Sequence, residues 1–223
     1  MNKNNIIRLS FIVIIIILYI ILVHPVFLQY KTNIIRTKKR KVFCIGLGRT
    51  ATSSLSSALM NLGYRTWHCP ILYDTKNFHN YVRRFDALTE LPFCCNYNFK
   101  DLHTFYPNAL FILTIRDPQS WLKSTHKYKK LVNNMAVYAP GYEMFCNNFN
   151  NFDFSIQSFI KYNNKVINYF NLSKSKLLVM NIPDGDGWST LCNFLEEKEP
   201  HEPFPNVKEI NLQCKLRFKY LLG

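Results

Sequence analysis

Glycine is scarce in this sequence, and no glycine precedes a lysine. Only 7 of the 223 residues are glycine. The Walker A loop, which binds phosphate in ATPases and GTPases, needs a Gly-Lys pair followed by Ser or Thr. The absence of that pair removes the usual sequence argument for an ATP- or GTP-binding protein.

Acidic residues are also scarce, and the Cys-x-x-Cys spacing is absent. The chain has 14 Asp and Glu against 28 Lys and Arg, which gives a formal net charge of +14. This charge suits a polyanionic ligand or an anionic surface, but it does not choose among nucleotide, nucleic acid, acidic glycan and lipid. None of the seven cysteines belongs to a Cys-x-x-Cys pair, which argues against a zinc ribbon.

The cysteines divide into two groups by their surroundings. Cys44 lies in an apolar run and Cys192 on an apolar helical face, so both are expected in the core. The other five can include disulfides, although an odd total leaves at least one thiol unpaired within the chain. These five are Cys69, Cys94, Cys95, Cys146 and Cys214.

Residues 9–30 lack charged side chains altogether and are rich in Ile, Leu and Val. A helix of this length spans about 33 Å, which is enough to cross a bilayer core. We therefore predict a short tail at 1–8, a transmembrane anchor at 9–30, a basic linker at 31–40 and a folded domain at 41–223. A cleaved signal peptide is the alternative, but no small-residue cleavage site follows the apolar run.

Residues 42–54 have the pattern of a phosphate-binding turn. An apolar run from Val42 to Ile45 predicts a buried strand, and an amphipathic helix begins after Gly46 and Gly48. Glycines let the backbone approach a ligand, and the amides and dipole of a helix N-terminus favour an anion. A strand–helix turn without a ligand is the alternative. The candidate ligand residues are Gly48, Arg49, Thr50, Ala51, Thr52, Ser53 and Ser54.

A second candidate anion site follows another buried strand. Residues 110–115 are apolar, and Arg116 comes directly after them. Ser124 lies eight residues later, in the first part of a predicted helix. Both side chains can therefore reach one anion, although Arg116 could instead pair with Asp117 or cap the helix.

The remaining pattern alternates strands with helices. Further strands are predicted at 64–69 and 177–180, and residues 86–92 are expected to be an irregular connection. Helices are predicted at 76–85, 96–105, 118–130 and 154–171, and a last one is marked by Trp188, Leu191, Cys192 and Leu195. This alternation predicts an α/β fold with a central parallel sheet that binds ligands at the carboxyl ends of its strands.

These motifs resemble those of the PAPS-dependent sulfotransferases, where PAPS is 3′-phosphoadenylyl sulfate. The loop matches their Gly-Leu-Gly-Arg-Thr-x-Thr-Ser-Ser-Leu branch, and Arg-Asp-Pro followed by Trp and Ser matches their 3′-phosphate site. Residues 187–195 and 200–205 resemble their Gly-Trp-x-x-Leu-Cys-x-Phe-Leu and Pro…Phe-Pro patterns. The resemblance covers about residues 41–207. It implies a P-loop NTPase-like three-layer α/β/α fold, with PAPS as co-substrate and no metal.

The resemblance also implies roles for individual residues. Arg49, where many relatives carry Lys, would neutralise the leaving phosphate, and Arg116 and Ser124 would hold the 3′-phosphate. Asp86 and Glu90 fall in a segment where relatives carry Asp-x-x-x-Asp-x-Pro. Either could be the general base, with the other orienting substrate or pairing with Arg83 or Arg84. Weaker candidates for the base, outside any recognisable motif, are His68, His103 and His126.

The acceptor implied by the family is a hydroxyl or amine compound, with a carbohydrate or glycolipid favoured and no nucleic acid. Anchored relatives usually place the catalytic domain in the Golgi lumen, and the sequon at Asn171 is compatible with that location. The basic residues that follow the anchor favour a cytoplasmic domain instead. A P-loop-like kinase and a noncatalytic binding module remain as alternative functions.

Overall fold

The computed structural model describes residues 40–68, 78–91, 98–135, 152–173 and 175–207. All of them belong to one compact unit, Arg40–Gly223. The predicted anchor at 9–30 and the five cysteines considered for disulfides lie outside these ranges. Within the ranges, no helix combines the length and the apolarity needed to cross a membrane.

Five strands and six α-helices are present in the described residues. The strands are β1 (Val42–Cys44), β2 (Thr66–His68), β3 (Ala87–Thr89), β4 (Leu110–Thr114) and β5 (Leu177–Met180). The helices are α1 (Thr52–Asn61), α2 (Phe78–Arg84), α3 (Phe99–Phe105), α4 (Pro118–Met135), α5 (Ile156–Ser173) and α6 (Trp188–Leu195). A 3₁₀ turn, Ile182–Asp184, separates β5 from α6.

The five strands form one parallel sheet in the order β2-β3-β1-β4-β5. Strand β1 is central, with Phe43 paired to Leu88 of β3 and to Phe111 of β4. The predicted parallel sheet is confirmed. Because all strands run the same way, the residues after β1, β2, β3 and β4 meet at one edge, which we call the carboxyl edge.

Alternate residues of the central strands face two separate cores. Phe43 and Phe111 pack with α2, α3 and α5 on one face of the sheet, whereas Val42 and Cys44 pack with α1 and α6 on the other. This alternation follows from the two-residue period of a strand. The chain therefore has three layers, helices–sheet–helices. Cys44 and Cys192 are buried free thiols, as expected for core residues.

One sequence prediction is wrong in an instructive place. Residues 86–92 are not wholly irregular, because Ala87–Thr89 forms strand β3 between β1 and β2. The strand is only three residues long and is flanked by Asp86 and Glu90, so no long apolar run marks it. Its pairing with two neighbouring strands decides its conformation.

Candidate functional site

The loop between β1 and α1 lies against the end of β4 at the carboxyl edge. The amide of Ile45 donates to the carbonyl of Ile112, which continues the β1–β4 ladder. Gly46 then passes so close to Thr114 that an added Cβ would lie 2.1 Å from Thr114 Oγ1 and 2.7 Å from its backbone N and O. A side chain at position 46 would therefore displace the loop.

The loop backbone curls into a conformation suited to an anion. Arg49 and Ala51 have φ of 72° and 65°, in the left-handed region, whereas Thr50 between them does not. Such alternation turns successive amides toward one side and makes a concave anion site. The indole nitrogen of Trp121 donates to the carbonyl of Gly48 at 3.0 Å and fixes the start of this turn.

Helix α1 begins without a side-chain cap. Ala51 is its N-cap, and the first helical hydrogen bond runs from the amide of Leu55 to the carbonyl of Ala51. The amides of residues 52–54 precede that bond, so they have no acceptor within the helix. They are therefore the groups that an anion at this helix end would engage.

The four hydroxyl groups of the loop differ in how far they are available. The Thr50 hydroxyl is fully buried and bonds the carbonyl of Leu47 and Thr114 Oγ1, both at 2.6 Å. Of Thr50, therefore, only the backbone amide fits the predicted role in anion binding. The other three hydroxyl groups have partners outside this segment. Thr52 donates to Glu90, and Ser53 bonds Nε2 of His68. Ser54 accepts from the amide of Val207.

Arg49 and Arg116 lie side by side. Arg116 Nη1 donates to the carbonyl of Arg49 at 3.0 Å, and Arg49 Nε donates to Ser124 Oγ at 3.1 Å. The Arg49 guanidinium also lies over the ring of Tyr128, 4.8 Å from its centroid. The two predicted anion sites are thus joined in one site at the carboxyl edge.

The nearby carboxylates of Glu90 and Asp117 compensate this pair of cations only in part, because neither contacts a guanidinium. Within the described residues, neither guanidinium forms an ion pair, and the Nε of Arg116 is buried without a hydrogen-bond partner. Burial lowers the pKa of Arg116, and the nearby charge of Arg49 lowers it further, against the opposing effect of Asp117. An anion bound here would satisfy the buried donor and relieve the repulsion.

Glu90 is the centre of a hydrogen-bonded cluster beside the loop. Its Oε2 accepts from Thr52 at 3.3 Å and lies 3.0 Å from His68 Nε2. The other imidazole nitrogen, Nδ1, lies 2.7 Å from Thr89 Oγ1, and the Glu90 backbone has a φ of 63°. A left-handed glutamate is strained, so the surrounding contacts must hold it in place.

The ionisation of Glu90 follows from these contacts. Burial acts to raise the pKa of Glu90, but the hydrogen bond and charge of His68, the charge of Arg49 and the bond from Thr52 outweigh it. The pKa of Glu90 is therefore held below its ordinary value. The cluster keeps an ionised carboxylate at the carboxyl edge at neutral pH.

Asp86 lies elsewhere, and its candidacy as the base needs correction. Asp86 precedes β3 whereas Glu90 follows it, so the two carboxylates lie at opposite ends of this strand. Both oxygens of Asp86 bond the guanidinium of Arg65, at 2.9 and 3.0 Å, and one also accepts from the Arg65 amide. Its partner is thus Arg65, not Arg83 or Arg84. Asp86 is therefore not placed to act as the base at the anion site.

His68, predicted only as a weaker candidate for the base, lies in the site. It ends β2, and the parallel arrangement brings it beside Glu90 at the end of β3. In contrast, His103 bonds the hydroxyl groups of Tyr169 and Ser175, away from the loop. The sequence did not relate His68 to Glu90, because strand β3, whose pairing with β2 brings the two residues together, was not predicted.

No group of three or more His, Cys, Asp or Glu residues suited to a metal ion occurs in the described part of the chain. The identified site consists instead of the loop amides, two guanidinium groups and one carboxylate. Such a site can hold a ligand with more than one anionic group while keeping a proton acceptor beside it.

Comparisons with known proteins agree with this architecture. A family model described as "Sulfotransferase domain" matches residues 41–211. The chain is 24% identical to "Ava biosynthesis cluster protein M" of Aspergillus versicolor over 216 residues, covering 75% of this chain and 80% of that protein. The crystal structure of a sulfotransferase from Alicyclobacillus acidocaldarius superposes with a TM-score of 0.50 at 15% identity, covering 83% of this chain and 93% of that one.

Proposed function

Because the chain belongs to the sulfotransferase domain family, we propose that it transfers a sulfuryl group from PAPS to a hydroxyl or amine acceptor. The supporting observation is the pair Arg49 and Arg116, which lacks ion-pair partners in the described residues and adjoins an uncapped helix N-terminus. PAPS carries two separate anionic groups, a 3′-phosphate and a 5′-phosphosulfate. The site offers two kinds of anion ligand, guanidinium groups and backbone amides, which come from the β1–α1 loop and from the residue after β4.

The residues present fit this donor. Arg116 has a buried donor without a partner, and Ser124 lies beside the same pair of cations, so these residues would hold the 3′-phosphate. The amides of residues 50–54 would hold the 5′ group. Negative charge builds on the leaving phosphate oxygen during transfer, and preoriented amides and cations stabilise it there.

Glu90 is the proposed general base. Transfer forms a bond from the acceptor oxygen or nitrogen to sulfur and breaks the bond from sulfur to the phosphate oxygen, while the acceptor gives up a proton. Glu90 Oε2 is engaged by Thr52 and His68, but Oε1 has no hydrogen bond within the described residues. We assign the proton to Oε1. Because its pKa is held low, Glu90 is ionised but weakly basic, so its contribution should fall toward the lower end of the usual range.

The donor can be tested without knowing the acceptor. The full-length protein would be heated in the presence of PAPS, of its product adenosine 3′,5′-bisphosphate (PAP), or of ATP with Mg²⁺. A ligand at 100 times its dissociation constant stabilises the folded state by about 2.7 kcal/mol. We expect stabilisation by PAPS and PAP. Preference for ATP would favour a kinase, and no effect of PAP would contradict the proposal.

We propose a carbohydrate or glycolipid acceptor and a single-pass anchor at residues 9–30, with the domain in the Golgi lumen. Family habit and the apolar, uncharged N-terminal segment support these assignments. Profiling candidate acceptors with radiolabelled PAPS tests the first. A lumenal domain would carry an endoglycosidase-sensitive glycan at Asn171, which is exposed, and Asn171→Gln would remove it. An unglycosylated chain that resists alkaline extraction would support the cytoplasmic orientation.

A further inference from the structure

We propose that His68 is a positioning residue for the reaction, which holds one carboxylate oxygen of Glu90 so that the other oxygen faces the acceptor. The proposal rests on the proposed function, because it takes Glu90 as the general base. It gives a separate role to an imidazole that the sequence offers only as a weaker candidate for the base itself.

The sheet brings His68 to this position. His68 is the last residue of β2, and its partner in the parallel register is Thr89, the last residue of β3. Glu90 follows Thr89 directly, so the imidazole lies beside both side chains. Its Nδ1 is 2.7 Å from Thr89 Oγ1, and its Nε2 is 3.0 Å from Glu90 Oε2. The ring is therefore held at two points.

The contacts of His68 assign its protons. An ionised carboxylate only accepts hydrogen bonds, so Nε2 must donate to Glu90. In the neutral ring Nδ1 then accepts from the hydroxyl of Thr89, which is fully buried, and in the charged ring Nδ1 donates to it. In neither form is a ring nitrogen left to take a proton from the acceptor. His68 therefore keeps its own proton during transfer, and the acceptor's proton goes to Oε1 of Glu90.

The carboxylate of Glu90 depends on this contact for its direction. The backbone of Glu90 has a φ of 63°, a conformation that residues other than glycine rarely adopt. Besides His68, only Thr52 bonds its Oε2 within the described residues, at the longer distance of 3.3 Å. Nε2 of His68 also lies 3.2 Å from Ser53 Oγ, so the same imidazole borders the β1–α1 loop. Without it, the carboxylate could turn away from the loop.

The same contact affects the ionisation of Glu90. Burial acts to raise the pKa of Glu90, and the hydrogen bond from His68 is the strongest of the effects that oppose it. The charges of His68 and Arg49 and the bond from Thr52 act in the same direction. These groups come from β2, the β1–α1 loop and α1, the described elements that contact or act on the carboxylate. Removing His68 should therefore raise the pKa of Glu90, and activity that needs the ionised carboxylate should be lost at a higher pH.

Two amide variants separate the roles of the two ring nitrogens. In His68→Gln the amide nitrogen can take the place of Nε2 and donate to Glu90. In His68→Asn the shorter side chain can take the place of Nδ1 beside Thr89, but it does not reach Glu90. The full-length proteins would be assayed between about pH 5 and about pH 9 with radiolabelled PAPS and a pool of glycolipids, sugars and simple alcohols as acceptors. Calorimetry with PAP would report donor binding separately.

We expect His68→Asn to lower turnover roughly 10- to 100-fold, the range for a hydrogen bond to a charged group. The acidic limb of its pH profile should move to higher pH. His68→Gln should recover most of the turnover and show a smaller displacement of that limb. Both variants should keep the PAP affinity of the wild type, because neither removes a backbone amide or a guanidinium from the anion site.

His201→Gln is the matched control, because it makes the same replacement at an exposed histidine outside the site. It should leave turnover, the pH profile and PAP affinity unchanged. If His68→Asn lacks a cooperative thermal transition, His68→Leu replaces it, since leucine is close to histidine in volume and also lacks a donor. The same fall in turnover is expected.

The outcomes distinguish the inference from the proposed function. If the wild type transfers no label, the proposed function fails, and the inference fails with it. If the wild type is active but His68→Gln loses as much turnover as His68→Asn, the Nε2 donor is not what matters, and the inference alone is overturned. Wild-type turnover and pH profile in His68→Asn also overturn it. A loss of PAP affinity as large as the loss of turnover would show instead that His68 supports the donor loop.

Discussion

Replacing Gly46 by alanine tests whether the close approach of the loop to β4 builds the anion site. The added Cβ would meet three atoms of Thr114 at 2.1 to 2.7 Å, two of them backbone atoms of a buried central strand. Rotation of the Thr114 side chain relieves only one of these contacts. The loop must therefore move away from the strand by about an ångström.

The expected cost is that of overpacking a well-packed core, about 1 to 3 kcal/mol. For a domain of this size, each kcal/mol lowers the melting temperature by about 2 to 4 °C, so we expect a fall of roughly 2 to 12 °C. The displacement also carries the amides of residues 50–54, so PAP affinity should fall more than tenfold. Differential scanning fluorimetry and calorimetric titration measure the two effects.

Gly187→Ala is the control substitution. Its added Cβ would have no neighbour closer than 3.8 Å, at ordinary contact distance from Phe204. We expect PAP affinity to be unchanged and the melting temperature to fall less than in Gly46→Ala. Equal melting temperatures and equal PAP affinities for Gly46→Ala and the wild type would refute the reasoning about the loop.

Three further predictions concern hydrogen-bonded groups. Glu90→Gln should lower turnover by at least about 100-fold in a labelled-PAPS assay while keeping PAP affinity; wild-type turnover would exclude Glu90 as base. Thr50→Val should cost about 1 to 3 kcal/mol in urea unfolding, because it leaves the Leu47 carbonyl and Thr114 without a partner, whereas Thr50→Ser should cost less. Burial acts to raise the pKa of Asp86, but the hydrogen bonds and charge of Arg65 outweigh it and hold that pKa low. A lowered folded-state pKa adds stability above the unfolded-state pKa of about 4, which is lost as pH falls through the folded value. The stability advantage over Asp86→Asn should therefore shrink between pH 6 and pH 3, and a constant difference would contradict the pairing.

Long apolar runs made most of the fold predictable. Strand β5 was predicted at residues 177–180 and is present there, and β4 ends one residue earlier than predicted. Both strands are flanked by turns and helices with clear amphipathic spacing. The parallel sheet was predicted from the alternation of strands with helices, because neighbouring parallel strands need crossover connections.

Strand β3 was not predictable in the same way, and the error extended to the site. With residues 86–92 taken as irregular, Asp86 and Glu90 were equivalent candidates only four positions apart. Because Ala87–Thr89 is a strand, Asp86 lies at its amino end and Glu90 at its carboxyl end. The same strand brings His68 to Glu90, so the missed pairing also hid the neighbour of the proposed base.

Side-chain direction was the other feature beyond reach of the sequence. The pattern supplied Thr50 as a hydroxyl donor, but its side chain turns inward to Thr114. The loop pattern also does not predict that the Arg49 side chain is held by Ser124 and Tyr128. Both directions depend on β4 and α4, which are far from the loop in sequence, so local spacing does not encode them.

Calorimetric titration of PAP into the wild type and Arg116→Ala tests the central claim most directly. Arg116 has a buried donor without a partner and adjoins Arg49, so its guanidinium should contribute strongly to binding a 3′-phosphate. We predict one PAP per chain for the wild type and an affinity at least tenfold weaker for Arg116→Ala. Equal affinities for PAP in the two proteins would contradict the claim that this pair of cations binds the donor nucleotide.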